Sequence, residues 1–313
     1  MNIIGFPGLG IEPFELSPIA FVIFGLSISW YGIIVTLSIL AGIFYSFRRG
    51  LKSEGISTDD MMDIAIFSIP AAIIGARAYY ILFNLSSFNT FGSIINTRQG
   101  GLAVYGGLIL AFAAGFAVCK FKKLSFLKVS DAVAPGILVG QMLGRWGNFT
   151  NAEAYGTSTD LPWRMLIGGR GEVHPTFLYE SLWNLLGFIL VSLIYKKKKF
   201  DGLIILIYIS WYGLGRMFIE GLRTDSLMFG EFRVSQVLAG LCLVGGIILI
   251  ILLAGKAKIK ALENDPTYVG AYSTAISKLT EEIIDAQETT AEPEATSEDE
   301  PTEEPDESTE TDS

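Results

Sequence analysis

The chain has 313 residues, of which half are hydrophobic, and its mean hydropathy is +0.46. Apolar runs of about 18 residues or more recur along it, the length that crosses about 30 Å of hydrocarbon, so a soluble globular domain is excluded. The net charge of −9 is concentrated in Glu263–Ser313, which holds 17 acidic residues and one lysine, whereas the rest has 22 basic and 15 acidic residues. The membrane part is therefore mildly basic.

The apolar runs predict an all-α integral membrane protein, a bundle of about seven transmembrane helices with a small extracytoplasmic head. The predicted spans are about Ile19–Phe47, Met61–Phe83, Leu102–Cys119, Val129–Gly144, Thr176–Tyr195, Leu203–Gly221 and Val234–Ala254. Residues 1–260 are expected to form a transmembrane catalytic domain. Residues 261–313 are expected to form an acidic cytoplasmic tail, which its Glu, Thr, Ser and Pro content predicts to be disordered.

Basic residues lie mainly in the connections after the first, third, fifth and seventh spans. They are Arg48, Arg49, Lys52, Lys120, Lys122, Lys123, Lys128, Lys196–Lys199, Lys256, Lys258 and Lys260. Because cytoplasmic loops are enriched in Lys and Arg, this pattern places those connections in the cytoplasm. The N-terminus is then extracytoplasmic, the C-terminus is cytoplasmic, and the connection Trp146–Pro175 is a long extracytoplasmic loop.

No metal site is expected. The two cysteines, Cys119 and Cys242, lie in apolar surroundings and are typical of buried thiols rather than of a disulfide framework. The single histidine, His174, cannot form a histidine-based metal site alone.

Polar residues concentrate in Gly144–Gly156, directly after an apolar run. Arg145 offers a planar fork that suits a phosphate or a carboxylate, and Asn148, Asn151 and Glu153 accompany it. A charge at this depth needs a partner or a function. The alternative is an interhelical salt bridge that only stabilises the bundle.

A second cluster occupies the end of the sixth span. Arg216, Glu220 and Arg223 lie at i, i+4 and i+7, and therefore on one face of a helix. The stripe is either a structural ion network or, because two arginines exceed one glutamate, part of a site for an anionic headgroup.

Other polar residues open further spans near the same predicted surface. Tyr179 and Glu180 follow His174-Pro175 at the start of the fifth span. Tyr105 stands among glycines at the start of the third span, and Tyr31 and Arg77 lie within the first two spans. Interfacial aromatic residues and a glutamate at a helix N-terminus are the structural alternatives. An arginine deep in a span must face a partner or a cavity.

These motifs, in this order, resemble the bacterial prolipoprotein diacylglyceryl transferase family over about Pro18–Ala254. The motifs are W-Y-G at Trp30–Gly32, G-A-R-A-Y-Y at Gly75–Tyr80, G-R-W-G-N-F-T-N-A-E-A-Y-G at Gly144–Gly156, H-P-T-F-L-Y-E-S at His174–Ser181 and R-M-F-I-E-G-L-R-T-D at Arg216–Asp225. The resemblance implies a multi-pass enzyme of the bacterial plasma membrane that acts without a cofactor.

The resemblance also implies the reaction and its partners. The diacylglyceryl group of phosphatidylglycerol is transferred to the lipobox cysteine of a prolipoprotein signal peptide, and glycerol phosphate is released. Arg145, Arg216 and Tyr105 are the catalytic candidates. The substrate-binding candidates are Tyr31, Arg77, Asn148, Asn151, Glu153, Gly156, Tyr179, Glu180, Glu220 and Arg223. Membrane lipid is a partner, and nucleic acid is not.

The chain departs from the family pattern at two positions. Many members carry His-Gly-Gly where this chain has Tyr105-Gly106-Gly107, and Phe177 replaces a common glutamine. A phenol is a weak base at neutral pH, so Tyr105 either accepts the thiol proton or only binds and orients the substrate.

Two other functions remain open from the sequence. A transporter with an arginine-lined anion path is one, although the sequence has no evident repeat halves of the kind common in transporters. A membrane transferase that uses phosphatidylglycerol with another acceptor is the second.

Overall fold

The computed structural model describes residues 1–85, 88, 90–97, 100–224, 228–263 and 266–289. Seven helices in these ranges are long and apolar enough to cross a membrane, which confirms the predicted helical membrane architecture. They are α1 (Trp30–Arg49), α2 (Thr58–Leu82), α4 (Val104–Phe121), α5 (Phe126–Asn151), α6 (Thr176–Tyr195), α7 (Leu203–Leu222) and α8 (Val234–Glu263). A short helix α3 (Phe91–Ile95) lies between α2 and α4, and a π-helical turn, Gly50–Glu54, follows α1.

The prediction that the first span begins at Ile19 is wrong, because α1 begins at Trp30. Strands β3 (Ile19–Ile23) and β4 (Leu26–Ser29) form an antiparallel hairpin before it. The turn of the hairpin has a left-handed backbone at Phe24 and Gly25, with φ of 49° and 79°. Hydropathy could not separate this hairpin from α1, since both are apolar.

The prediction that the fourth span ends at Gly144 is also wrong. Helix α5 continues to Asn151, so the start of the segment predicted as a loop from Trp146 is helical. The helix ends where Ala152 adopts a left-handed backbone with φ of 50°. The residues after Gly144 are polar, but Arg145 pairs with Glu180 and Asn148 hydrogen-bonds Glu153. The helix can therefore continue through them. The other spans are present with shifted ends.

The N-terminal segment and the α5–α6 connection share a four-stranded antiparallel sheet that the all-α prediction missed. Its order is β2-β1-β5-β6, and its strands are β1 (Asn2–Phe6), β2 (Ile11–Leu16), β5 (Met165–Ile167) and β6 (Gly171–Val173). Ile4, Met165, Ile167, Val173 and Phe177 form its buried core. The strands are too short for an alternating pattern to stand out in an apolar sequence. The sheet fixes the chain that leads into α6. A small hairpin of β7 (Met228–Phe229) and β8 (Phe232–Arg233) precedes α8.

Glycines let the spans pack with their backbones close together. A Cβ atom added to Gly136 of α5 would lie 2.0 Å from Ser46 Oγ and 2.4 Å from the carbonyl oxygen of Gly42 in α1. A Cβ at Gly75 of α2 would lie 2.4 Å from the carbonyl oxygen of Gly106 in α4. Small residues at such crossings are the usual means of helix association in membranes.

A buried ion network ties together the chain around the N-terminal end of α5. Lys198 Nζ lies 2.8 Å from Glu54 Oε2, 3.0 Å from Asp131 Oδ2 and 3.1 Å from Asp201 Oδ1. Asp131 also accepts hydrogen bonds from the backbone N–H groups of Gly202 and Ile205. Burial by itself would lower the pKa of Lys198, but hydrogen bonds to Glu54 and Asp131 outweigh burial and raise it.

The chain divides into two units, Met1–Ala257 and Lys258–Ser313. In the second unit the structure has a helix, α9 (Pro266–Thr289), where the composition predicted disorder. Apolar residues at helical spacing, Ile276, Leu279 and Ile283, explain a helix within an acidic segment. The remainder of the disorder prediction, 290–313, lies outside the described residues.

Candidate functional site

Glu180 stands among three arginines from two helices. Its Oε1 atom is 3.1 Å from Arg223 Nη1 and 3.5 Å from Arg216 Nη1, and its Oε2 atom pairs with Arg145 Nη2. The side chain of Glu180 is only 6% exposed. Arg145 comes from α5 and Glu180 from α6, whereas Arg216 lies in α7 and Arg223 caps its end. The two arginine clusters predicted from sequence are therefore one cluster, joined by Glu180.

A second buried carboxylate completes this cluster. Glu220 Oε2 lies 2.6 Å from Arg216 Nη2, and its side chain is 2% exposed. Arg233 donates a hydrogen bond to the backbone carbonyl of Glu220. The cluster thus gathers three guanidinium groups around two carboxylates, and such charged N–H donors suit an anionic ligand.

The polar end of α5 continues the cluster. Arg145 Nη1 donates to Asn148 Oδ1 at 3.5 Å, and Asn148 Nδ2 donates to Glu153 Oε1 at 2.9 Å. Asn151 is the last residue of α5 and is half-buried. Amide side chains next to an arginine can hydrogen-bond a hydroxylated headgroup without adding charge.

Gly156 lies where two segments meet, and it allows their backbones to approach. Its N–H donates to the carbonyl of His174 at 3.0 Å, and it forms an isolated antiparallel bridge with Arg223. A Cβ at Gly156 would lie 2.7 Å from the Cβ of His174. The glycine thus holds the end of α7 against the start of α6. Asp225, the last residue of the motif R-M-F-I-E-G-L-R-T-D, lies outside the described residues.

Tyr179 is held by contacts of its hydroxyl with two neighbouring rings. Its hydroxyl accepts a hydrogen bond from Trp163 Nε1 at 2.8 Å and lies 3.2 Å from His174 Nδ1. Burial lowers the pKa of His174 below its ordinary value. The histidine is therefore neutral at pH 7, and Tyr179 is positioned by this network beside Glu180.

Two other tyrosines predicted for the site lie on α4 and α1. Tyr105 places its hydroxyl 3.5 Å from Ser235 Oγ at the start of α8. Tyr31 packs its ring on Gly147, where an added Cβ would lie 3.1 Å from Tyr31 Cδ2. Gly147 follows Arg145 by two residues, so Tyr31 packs against the same polar end of α5.

Arg77 is held by a different part of the chain. Its guanidinium donates to five backbone carbonyls, and an arginine side chain has five N–H donors in all. The acceptors are Ser93, Ile94, Asn96, Gly100 and Gly101, at 2.6–3.1 Å. Arg77 therefore stabilises the segment between α2 and α4, and its N–H donors are directed to backbone carbonyls.

The sequence did not lead us to Tyr212. It lines a small cavity together with Glu180 and Arg216. Tyr212 therefore belongs to the surroundings of the arginine cluster. The spacing in the sequence could have identified it, because Tyr212 lies four residues before Arg216 and therefore on the same helix face.

A reciprocal tryptophan pair joins α6 to α7 beside the cluster. The rings of Trp183 and Trp211 stack with centroids 4.3 Å apart, and each indole N–H donates to the other residue's carbonyl at 3.0 Å. Gly187 and Gly215 provide the space, since a Cβ at either would clash with an indole. The pair fixes the register that brings Glu180 to Arg216.

An apolar cavity of about 450 Å³ lies between α1, α2, α4 and α5. Its walls include Ile39, Ile43, Leu108 and Phe112, and Gln141 lies one helical turn before Arg145. A space of this size and character fits hydrocarbon chains. The bundle therefore offers an apolar compartment next to a cationic cluster.

Comparison with known proteins agrees with the family resemblance of the sequence motifs. The family model for prolipoprotein diacylglyceryl transferase matches residues 18–252. A phosphatidylglycerol–prolipoprotein diacylglyceryl transferase of Finegoldia magna is 48% identical over 249 residues, which covers 79% of this chain and 98% of that protein. Its counterpart in Clostridioides difficile is 46% identical over 241 residues, covering 77% and 96%. A third, from Clostridium perfringens, is 42% identical over 257 residues, covering 78% and 97%.

Proposed function

Because this chain belongs to the prolipoprotein diacylglyceryl transferase family, we propose that it transfers the diacylglyceryl group of phosphatidylglycerol to the lipobox cysteine of prolipoproteins. The observation that carries the proposal is the cluster of Arg145, Arg216 and Arg223 around Glu180. The arginine cluster and the apolar cavity match the two parts of an anionic phospholipid, its phosphate and its acyl chains.

The reaction forms one bond and breaks one. The cysteine sulfur attacks the glyceryl carbon that carries the phosphodiester, a C–S bond forms, and the C–O bond to the phosphate breaks. The phosphate oxygen keeps the electron pair and leaves as glycerol phosphate. The thiol proton is transferred to a base or to the released phosphate.

Stabilising the departing phosphate is the main task of the arginines. Negative charge develops on the phosphate oxygen as the C–O bond breaks, and prearranged cationic donors in a dry site stabilise such charge strongly. Arg145 and Arg216 are proposed to bind the phosphate. Glu180 and Glu220 hold their guanidinium groups in place.

The neighbouring polar residues are proposed to bind the headgroup. Asn148, Asn151 and Glu153 would hydrogen-bond the glycerol hydroxyls, because they lie at the same end of α5 as Arg145. Tyr31 would form a wall of the site through its contact with Gly147.

Other predicted site residues receive positioning roles. Gly156 and Tyr179 place the segments that carry Arg223 and Glu180. Arg77 is proposed to shape the segment before α4 instead of binding substrate, because it already donates to five carbonyls.

Tyr105 is proposed to orient the reacting groups. Its hydroxyl lies 3.5 Å from Ser235 Oγ, a contact that positions it at the start of α8. Tyr105→Phe is then expected to lower kcat at unchanged protein stability, and an unchanged rate would limit Tyr105 to packing.

The enzyme is a multi-pass membrane protein, and we assign it to the bacterial plasma membrane. The N-terminus is proposed to be extracytoplasmic and the C-terminus cytoplasmic, since the basic loops follow alternate spans. With this orientation the Arg145 end of α5 lies at the outer surface, where a secreted prolipoprotein presents its cysteine.

Mass spectrometry of a lipobox peptide tests the proposal directly. Purified protein with phosphatidylglycerol should add a diacylglyceryl mass to the cysteine, and Arg145→Ala should abolish the addition. Arg164→Ala is the matched control and should stay active, because within the described residues the Arg164 side chain bonds to Glu172 and to the carbonyl of Leu161 and not to the cluster. No addition by folded wild-type protein would refute the function, and equal activity of Arg145→Ala would refute its role.

A further inference from the structure

The β3–β4 hairpin exposes an unusual amount of apolar surface. Residues at 41% or more exposure include Ile19, Phe21, Val22, Ile23, Phe24 and Leu26. The register pairs Phe21 with Ile28 and Ile23 with Leu26, and it pairs Val22 with Ser27. Residues paired across the strands share a face, and successive residues along a strand alternate between faces. One face therefore carries Phe21, Ile23, Leu26 and Ile28, and the other carries the smaller or polar Val22 and Ser27.

The tip of the hairpin is apolar as well. Phe24 is fully exposed and adopts a left-handed backbone with φ of 49°. Asn, Asp and Gly are the residues that favour this conformation, and a bulky residue there is uncommon. A phenylalanine presented to the surroundings at a strained turn indicates a partner that binds it.

The surroundings of the hairpin point to the membrane as that partner. No charged residue occurs between Ser17 and Phe47, a stretch that includes the hairpin and most of α1. The open end of the hairpin is tied to the start of the span, since Trp30 N–H donates to the carbonyl of Pro18 at 3.0 Å. Ser29, the last hairpin residue, caps α1 through Gly32 N–H. The hairpin is therefore anchored where α1 enters the bilayer.

We propose that this hairpin lies in the membrane interface, with its Phe21–Leu26 face and Phe24 inserted into the lipid bilayer. A two-stranded hairpin is marginally stable in water, so an apolar surface beneath it would stabilise it. Its strand edges have free backbone polar groups, which the hydrocarbon centre cannot satisfy. The interface meets both requirements, because side chains reach lipid while the edges reach water and headgroups.

The face that carries Phe21, Ile23, Leu26 and Ile28 suits lipid better than a protein partner. It has no hydrogen-bonding or charged side chain that would select a particular sequence. The insertion is independent of the transfer reaction and depends only on the position of α1 as a span.

Spin-label accessibility in proteoliposomes of phosphatidylglycerol and phosphatidylcholine tests the insertion. Cys119 and Cys242 are first replaced by alanine, and single cysteines are then placed at Phe24, Leu26 and Ser27. The measured quantity is the ratio of the label's collision rate with oxygen, which concentrates in lipid, to its collision rate with a water-soluble nickel chelate. This ratio should be several-fold higher for the labels at positions 24 and 26 than for the label at position 27 on the opposite face. Phe44→Cys in α1 and Asp160→Cys in the head provide the lipid and water references.

Two outcomes would overturn the proposal. One is nickel accessibility at 24 and 26 equal to that at Asp160→Cys. The other is immobilisation of these labels only when a lipobox peptide is added, which would assign the surface to the signal peptide. Each labelled variant adds one substitution at an exposed position to the same cysteine-free background, so misfolding of one leaves the others informative. Retained peptide modification checks the fold of the background and of each variant.

Discussion

Replacing Glu180 by glutamine tests whether one carboxylate holds the arginine cluster together. The substitution keeps the shape of the side chain but removes its charge. Arg145 and Arg223 then lose their ionic partner in the described cluster, while Arg216 keeps Glu220. Removing one member of a buried ion pair costs about 3–5 kcal/mol, because the remaining charge stays desolvated.

The structure favours the lower end of that range. Glu180 is 6% exposed, but the arginine side chains are 10–23% exposed and are partly solvated. We therefore expect Glu180→Gln to lower the free energy of unfolding by about 3 kcal/mol, a change of roughly 10²-fold in the unfolding equilibrium. Reversible unfolding in mixed micelles, titrated with sodium dodecyl sulfate and followed by tryptophan fluorescence, measures this value.

Glu172→Gln is the matched control for this measurement. Glu172 also pairs with an arginine, Arg164, at 2.6 Å, but the two side chains are 37% and 25% exposed. An exposed pair contributes about 0–1 kcal/mol. If Glu180→Gln lost no more stability than Glu172→Gln, the cluster would not depend on the charge of Glu180, and its assignment as the organising residue would be refuted.

Four further predictions concern other parts of the fold. Arg77→Lys should lower the free energy of unfolding by about 2 kcal/mol in the same titration, because three donors replace five. Gly136→Ala should cost about 1–3 kcal/mol there, because its Cβ meets the backbone of α1 and forces the helices apart. Lys198→Met should cost about 3–5 kcal/mol, because buried Glu54 and Asp131 lose their cation. Burial lowers the pKa of His174, so as the pH falls the unfolded chain takes up this proton at a higher pH than the folded chain. The contribution of His174 to the free energy of unfolding should therefore be complete above pH 6.5 and decrease as the pH falls below it. His174→Gln should flatten this part of the pH profile.

Each of these predictions has a contrasting variant. Gly245→Ala is the control for the helix crossing, since its added Cβ meets nothing within 4 Å. Lys197→Met is the control for the ion network, because Lys197 is exposed beside Lys198. Equal losses in variant and control would contradict the packing or pairing explanation. Arg77→Lys at wild-type stability would mean that the five carbonyl contacts add nothing, and a His174→Gln profile identical to wild type would place the pH effect elsewhere.

The number and type of the spans were predictable because a membrane helix must satisfy its own backbone hydrogen bonds. A long apolar run has few alternatives in lipid, and seven such runs became seven helices. Helix ends were less predictable, as α5 shows. Its polar residues after Gly144 suggested a loop, but Arg145 and Asn148 have partners on other segments or within the helix.

The hairpin and the four-stranded sheet show a second limit. Ile19–Ser29 is as apolar as a span, and only the turn at Phe24-Gly25 and the pairing of the strands separate it from α1. Hydropathy reports whether a residue prefers water or lipid, and this preference is the same in a strand and in a helix. The four-stranded sheet also depends on contacts between β1 and β5, which are more than 150 residues apart in the chain.

The membrane architecture and the charge asymmetry could be predicted from the sequence, because both follow from residue type and spacing along single segments. Arg216 and Glu220 share a face of α7 because they are four residues apart, whereas Arg223 follows the helix in an extended conformation. Two findings required the tertiary structure, namely that Glu180 joins Arg145 to Arg216 and Arg223 and that Arg77 holds a loop. The contacts of Glu180 depend on the register of α5, α6 and α7, which packing at glycines and the tryptophan pair sets across long sequence separations. Those of Arg77 depend on how the segment between α2 and α4 folds back onto α2.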